Sequence, residues 1–119
     1  MTMRDVFVCH ASEDKRDIVE PLTKAFREAG ISYWYDRAEI QWGDSITEKI
    51  NEGLSRSRYV LVILSPAFMQ KRWPHRELHA ALHQEAATGQ VGVLPLLVGT
   101  KSQRQAIQQE YALLNDKQY

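Results

Sequence analysis

Apolar positions along this chain follow two alternating rhythms. Val6-Phe7-Val8-Cys9, Ile31-Ser32-Tyr33-Trp34-Tyr35, Arg58 to Leu64 and Val91 to Val98 are short runs rich in β-branched and aromatic residues, and each reads as a strand. Between them apolar residues recur at helical spacing. Ile18, Val19, Leu22, Ala25, Phe26 and Ala29 make one such set, and Ile46, Ile50 and Leu54 a second. A third helix is predicted from Pro74 to about Ala87, and a weaker one over Ser102–Leu114. Strand–helix alternation of this kind predicts a parallel sheet covered on both faces, joined by right-handed crossovers. The run Tyr59-Val60-Leu61-Val62-Ile63-Leu64 has no polar break, which predicts burial on both faces and a central position.

Punctuation residues sharpen these boundaries. Ser12 or Asp14 is a candidate cap for the first helix, and Gly30 a candidate stop. Pro21 lies inside the first helical run and predicts either a late start or a kink. Asp44 or Ser45 is placed to cap the second helix, Pro74 suits the first position of the third, and Gly89 ends it. Pro95 cannot donate to a ladder, so its strand is expected near an edge or bulged.

Composition adds exclusions. The 119 residues are 44% hydrophobic and 25% charged, with 15 basic and 15 acidic side chains and a formal net charge of zero. The length suits one domain, and neutral charge does not recommend nucleic acid or an anionic membrane as the main partner. No run is long enough to span a bilayer, and Met1-Thr2-Met3-Arg4-Asp5 is not an apolar signal region, so a cytoplasmic location is expected. A single cysteine, Cys9, excludes an intrachain disulfide framework and reads as a buried, inert thiol. No Gly-x-Gly-x-x-Gly, no phosphate-cradling Gly-rich loop ending in Lys-Ser/Thr and no Gly-x-Ser-x-Gly elbow occurs. His75, His79 and His83 share one helical stripe, but no added carboxylate or cysteine completes a ligand pattern, so no metal is expected.

The chemically suggestive stretch is Ser65-Pro66 to Arg72-Trp73-Pro74-His75-Arg76-Glu77-Leu78, just beyond the third strand. It puts a carboxylate, Glu77, early in a helix at the sheet edge where ligands bind in open α/β folds. Trp73 supplies an aromatic plate nearby. A first-turn glutamate also stabilises a helix through the macrodipole, so spacing alone leaves both roles open.

Read in order, these segments resemble a known family. Asp5-Val6-Phe7-Val8-Cys9-His10-Ala11-Ser12-Glu13-Asp14 looks like the first sequence box of TIR (Toll/interleukin-1 receptor) domains, in their bacterial form. Asp36 through Gly43-Asp44 resembles their long loop after the second strand. Leu64-Ser65-Pro66 with Trp73-Pro74-His75-Arg76-Glu77-Leu78 is similar to their third-strand and following-helix signature, and Val93-Leu94-Pro95-Leu96 to their fourth strand. The resemblance implies a flavodoxin-like, three-layer α/β fold with four to five parallel strands. It also implies that residues 1–119 form a single TIR-like domain without the family's last strand and helix, as a module of a longer protein.

The resemblance implies cleavage of the nicotinamide–ribose bond of NAD+, as an NAD+ glycohydrolase or ADP-ribosyl cyclase in bacterial immune or cell-death signalling. NAD+ is then substrate and no cofactor is required. Glu77 matches the catalytic glutamate. Trp73, His10, Ala11, Ser12, Asp36, Trp42, Gly43 and Asp44 fall where the family binds the nucleotide. The Asp36–Asp44 loop falls where TIR subunits self-associate, with each other and with other TIR domains. The alternative reading is a non-catalytic interaction scaffold.

Overall fold

The computed structural model describes residues 3–35, 39–40, 44–71, 75–83 and 92–110. β1 (Arg4–Ala11) passes through a 3-10 turn (Ser12–Asp14) and a π turn (Lys15–Val19) into α1 (Glu20–Glu28). β2 (Tyr33–Trp34), β3 (Glu39–Ile40), α2 (Ile46–Arg56), β4 (Ser57–Leu64) and α3 (Pro66–Met69) follow. Then come α4 (His75–Leu82), β5 (Val93–Leu97) and α5 (Lys101–Glu110).

The sheet is parallel throughout, with strand order β2-β1-β4-β5. β2 and β3 pair with successive stretches of β1: Val6 and Phe7 meet Tyr33 and Trp34, and His10 and Ala11 meet Glu39 and Ile40. β4 is central, as its unbroken apolar run predicts, with β1 on one side and β5 on the other. The alternation of side chains along β1 and β4 feeds two cores. Phe7, Cys9, Val60 and Val62 face Ile50 of α2 and Leu82 of α4. Val8 and Ile63 face Val19, with Leu22 and Phe26 of α1 packed around them. The molecule is therefore the three-layer α/β arrangement expected from the sequence.

The prolines act as their chemistry requires. The Lys15 carbonyl accepts from the Glu20 N–H across the π turn, and α1 begins only at Glu20. Pro21 then sits in its first turn, where a missing N–H costs no helical bond, so the late start is what occurs. Neither Ser12 nor Asp14 caps a helix: both side chains bond elsewhere. Pro95 lies on β5, the last strand in the sheet order, opposite Val62. The Val60 N–H donates to Gly92 O (2.7 Å) and the Val98 N–H to Leu64 O (3.1 Å). Alternate residues of a parallel strand address the same neighbour. Residues 92, 94, 96 and 98 therefore bond to β4, and the nitrogen of Pro95 is turned to the far side, where no β4 bond is lost.

Two elements appear that the sequence reading does not contain, the first of them within the expected Asp36–Asp44 loop. Glu39–Ile40 pairs with β1 because Ile40 is buried completely in the core. Pro66–Met69 forms a single helical turn, capped where Ser65 Oγ accepts from the Phe68 N–H (3.0 Å) and anchored by buried Phe68 and Met69. Ser45 caps α2 as expected, accepting from the Glu48 N–H at 3.2 Å. The predicted helix end at Ala87 and Gly89 lies outside the described residues.

α2 approaches the sheet closely at Gly53. A Cβ there would lie 2.6 Å from Val60 Cγ2 and 2.7 Å from Phe7 Cδ1. The first is a methyl and the second a ring carbon, both of fully buried core residues packed by their neighbours, so they cannot swing away. Gly53→Ala is expected to destabilise the fold by about 1–3 kcal/mol, despite the higher helix propensity of alanine. Urea unfolding checks this, and an unchanged midpoint would mean that α2 can lift off β1 and β4 freely.

Candidate functional site

Parallel strands bring their C-terminal ends to one edge, here Ala11, Ile40, Leu64 and Leu97. Ligand crevices in open α/β sheets form at this edge. The first segment to leave it is the turn after β1. His10, the penultimate residue of β1, is completely buried. Its Nδ1 lies 2.8 Å from the Val8 carbonyl and so donates to it, which leaves Nε2 as an acceptor. Nε2 is buried and has no partner among the described residues. Burial pushes the His10 pKa down, while its bond to Val8 and the carboxylates of Glu39 and Asp14 pull the other way.

Four residues on, Asp14 is also buried, with 8% of its surface exposed. Its Oδ2 accepts from the hydroxyl of Ser65, itself completely buried at the end of β4. Burial raises the Asp14 pKa, and the Ser65 bond opposes that rise. A second contact lies beside the first. Lys71 Nζ, on a side chain only 3% exposed, sits 3.4 Å from Glu13 Oε1, which also accepts from Ser12 Oγ at 3.0 Å. The turn after β1 is thus joined twice to the Ser65–Lys71 segment after β4.

That segment leads to α4. Glu77 stands in the first turn of α4 and is half-buried. The next residue, Leu78, packs into the core that also holds Ala11, Ile40 and Leu64, and Ala81 and Leu82 follow it inward. Leu78, Ala81 and Leu82 thus turn one face of α4 into this core, and Glu77 precedes Leu78 in the first turn.

Of the sequence-predicted site residues, Glu77, His10, Ala11, Ser12 and Asp44 are described. His10 and Ala11 lie beneath the surface, Ser12 is exposed, and Asp44 is half-buried just before the Ser45 cap of α2. Trp73, Asp36, Trp42 and Gly43 lie outside the described residues. Asp14, Ser65 and Lys71 were not singled out for the site from the sequence. Ser-Pro after an apolar strand was a readable signal for a capped turn. The Asp14 bond had none, because its partners are 51 residues apart.

Elsewhere, a groove of about 510 Å³ runs beside the end of β5 and α5, lined by Leu96, Leu97, Lys101 and Arg104. None of the described site residues predicted from the sequence lines it. Among the described residues no group of three His, Cys, Asp or Glu could hold a metal ion. Cys9 is fully buried and its thiol pKa is pushed far up by burial, which removes the thiolate needed for nucleophilic chemistry.

Comparison with known proteins agrees with this architecture. Residues 6–119 match the family described as TIR domain. The chain is 45% identical over 92 residues to 2' cyclic ADP-D-ribose synthase BtTIR of Bacteroides thetaiotaomicron, covering 77% of this chain and 32% of that protein. It is 42% identical over 92 residues to NAD(+) hydrolase PdTIR of Paracoccus denitrificans, covering 77% and 30%. The chain thus spans about a third of the length of the curated relatives it matches. Two solved structures share the fold. The TIR domains of the activated Roq1 resistosome give a TM-score of 0.57 at 24% identity, covering 96% of this chain and 75% of that one. The TIR domain of the Toll-related receptor TRR-2 from Hydra magnipapillata gives 0.54 at 23%, covering 82% and 73%.

The environment of His10 has a consequence for pH. Its folded pKa lies below the ordinary value of 6.5, so the unfolded chain binds the proton more readily. The stability this histidine contributes is complete above 6.5 and is lost as pH falls below it. His10→Asn, which can keep a donor to the Val8 carbonyl, is expected to unfold with a smaller loss of stability between pH 7 and pH 5 than the parent. Urea midpoints at both pH values measure this, and equal losses in the two proteins would remove His10 as the cause.

Proposed function

The chain belongs to the TIR-domain family, and from that premise we propose that it cleaves the nicotinamide–ribose bond of NAD+. The observation that carries this reading is the half-buried carboxylate of Glu77 in the first turn of α4, immediately before Leu78 enters the core. Relatives named NAD(+) hydrolase and 2' cyclic ADP-D-ribose synthase support the choice of substrate.

The chemistry suits one carboxylate. When the C–N bond breaks, its electron pair passes to the nicotinamide nitrogen, which goes from cationic to neutral and needs no proton. The positive charge moves to the ribose, whose transition state resembles an oxocarbenium ion. Glu77 stabilises that charge and accepts from a ribose hydroxyl. Water then captures the ribosyl group and loses a proton to give linear ADP-ribose, or the adenine or a ribose hydroxyl of the same molecule captures it to give a cyclic product. Both outcomes share the first step, and that step is the one proposed.

NAD+ acts here as a substrate, and no cofactor takes part. The role proposed for Trp73 is stacking on a ring of the nucleotide. The role proposed for Asp36 is reach to a ribose, and for His10, Ala11 and Ser12 the lining of the nucleotide pocket. Trp42, Gly43 and Asp44 belong to a covering loop that a neighbouring subunit repositions, so assembly completes the site. In a cell this places the domain in immune or cell-death signalling.

Incubating concentrated protein with NAD+ and following nicotinamide by chromatography tests the reading. Glu77→Gln keeps the size of the side chain and is expected to slow release by about 100-fold or more. Undiminished release by this variant would exclude Glu77 from the chemistry, and no release by the clustered parent would favour an interaction scaffold. Specific activity is also expected to rise with protein concentration, in step with the association seen by sedimentation. A constant value across a wide dilution series of a sedimenting monomer would exclude a site completed by assembly.

A further inference from the structure

The two contacts between the turn after β1 and the segment after β4 are made by residues to which no contact with NAD+ is assigned, and Glu13 among them also accepts from Ser12. Asp14 and Ser65 are both buried, and each uses its polar atoms on the other side of the crevice edge. Ser65 works twice, donating to Asp14 Oδ2 and accepting from the Phe68 N–H at 3.0 Å. Phe68 and Met69 are buried in the core one helical turn later, and Lys71 reaches back to Glu13 at 3.4 Å. Every stage of 65–71 is therefore fixed, by a cap, by packing or by charge.

Only residues 72–74 separate this segment from His75, the start of α4. Such a span reaches at most about 14 Å from Lys71 to His75. From the other end, Leu78, Ala81 and Leu82 seat α4 on the core. Glu77 lies between these two restraints.

We propose that Asp14 and Ser65, with Glu13 and Lys71 outside them, form a clasp that sets the position of Glu77 against the turn after β1. These are positioning residues: they act on the reaction through Glu77 and touch no substrate. The proposal rests on the reading that Glu77 stabilises the ribosyl cation. A carboxylate buried as deeply as Asp14 needs a donor, and a bond to an ionised acceptor is stronger than a neutral one. The clasp is thus stiff where an ordinary surface contact would be loose. A misplacement of about 1 Å at a reacting group costs on the order of 100-fold in rate.

The test uses Ser65→Ala, Asp14→Ala and their double variant, with Asp14→Asn as the mild member. Asparagine keeps an acceptor for the Ser65 hydroxyl and loses only the charge. If an alanine variant fails to fold, Asp14→Asn carries the test. Two readouts are taken on each protein that folds. The first is hydrogen–deuterium exchange over 75–82, which needs no substrate. The second is kcat and KM for nicotinamide release from NAD+.

Exchange at the start of α4 is expected to quicken in each variant. kcat is expected to fall by about tenfold or more in the alanine variants and less in Asp14→Asn, with KM nearly unchanged. The double variant is expected to be no worse than the poorer single one, because both changes open the same link. Parental exchange over 75–82 in a folded variant overturns the clasp. Faster exchange with a parental kcat overturns its positioning role. If the parent protein releases no nicotinamide, the proposed activity has failed, and exchange alone still decides whether the clasp holds α4.

Discussion

The parallel pairing of β1 with β4 is the constraint from which the rest of the molecule follows. Val6 to Cys9 match Tyr59 to Val62 in register, so the two strands end side by side at Ala11 and Leu64. An antiparallel pair would send its loops to opposite ends of the sheet. A parallel pair needs a long crossover and returns both loops to one edge. That geometry brings Asp14 to Ser65 and Glu13 to Lys71, and α4 with Glu77 follows the Ser65–Lys71 segment in the chain. The two cores serve this pairing. α2 and α4 cover one face of β1 and β4, and α1 covers part of the other.

The edge also carries an unusual density of buried polarity. His10, Asp14, Ser65 and Lys71 are all buried, while the strand interiors just below them are apolar. Burying an ionisable group without a partner costs several kcal/mol, and a satisfied pair roughly offsets that cost without adding much stability. Apolar residues would hold these loops together at least as well. What polar partners add is direction: a hydroxyl between a carboxylate and a backbone N–H fits one arrangement, whereas packed methyl groups tolerate several. Cys9, at the same depth in β1, shows the contrast, since it simply fills space.

The elements legible in the sequence were those whose signal is local. The apolar run to Leu64 marked a central strand, Ser45 marked a helix start, and Pro21 and Pro95 each carried their meaning in a missing N–H. β3 was hidden because two residues show no period; only the burial of Ile40 against β1 makes it a strand. The π turn over Lys15–Val19 was hidden for a different reason: its apolar spacing is close enough to that of an α-helix to pass as one. At the site, Glu77 was visible as a first-turn carboxylate, and the family resemblance gave it a role that spacing could not. The partners of Asp14 and Lys71 were not legible at all, because such long-range contacts exist only once the sheet has closed.

The strand order has a further bearing on how this protein is made. Within this domain β1 leaves the ribosome well before its partner, and one of its edges waits for β4, which begins at Ser57. At about 5–20 residues per second, that wait lasts several seconds. Throughout it, the apolar stretch from Phe7 to Cys9 has an open side and no finished core to retreat into. Residues that are fully buried in the folded domain thus stay uncovered while the chain between β1 and β4 is made. Yield in a cell is accordingly governed by how well nascent chains are shielded over that interval, a quantity that no equilibrium measurement on the purified domain reports.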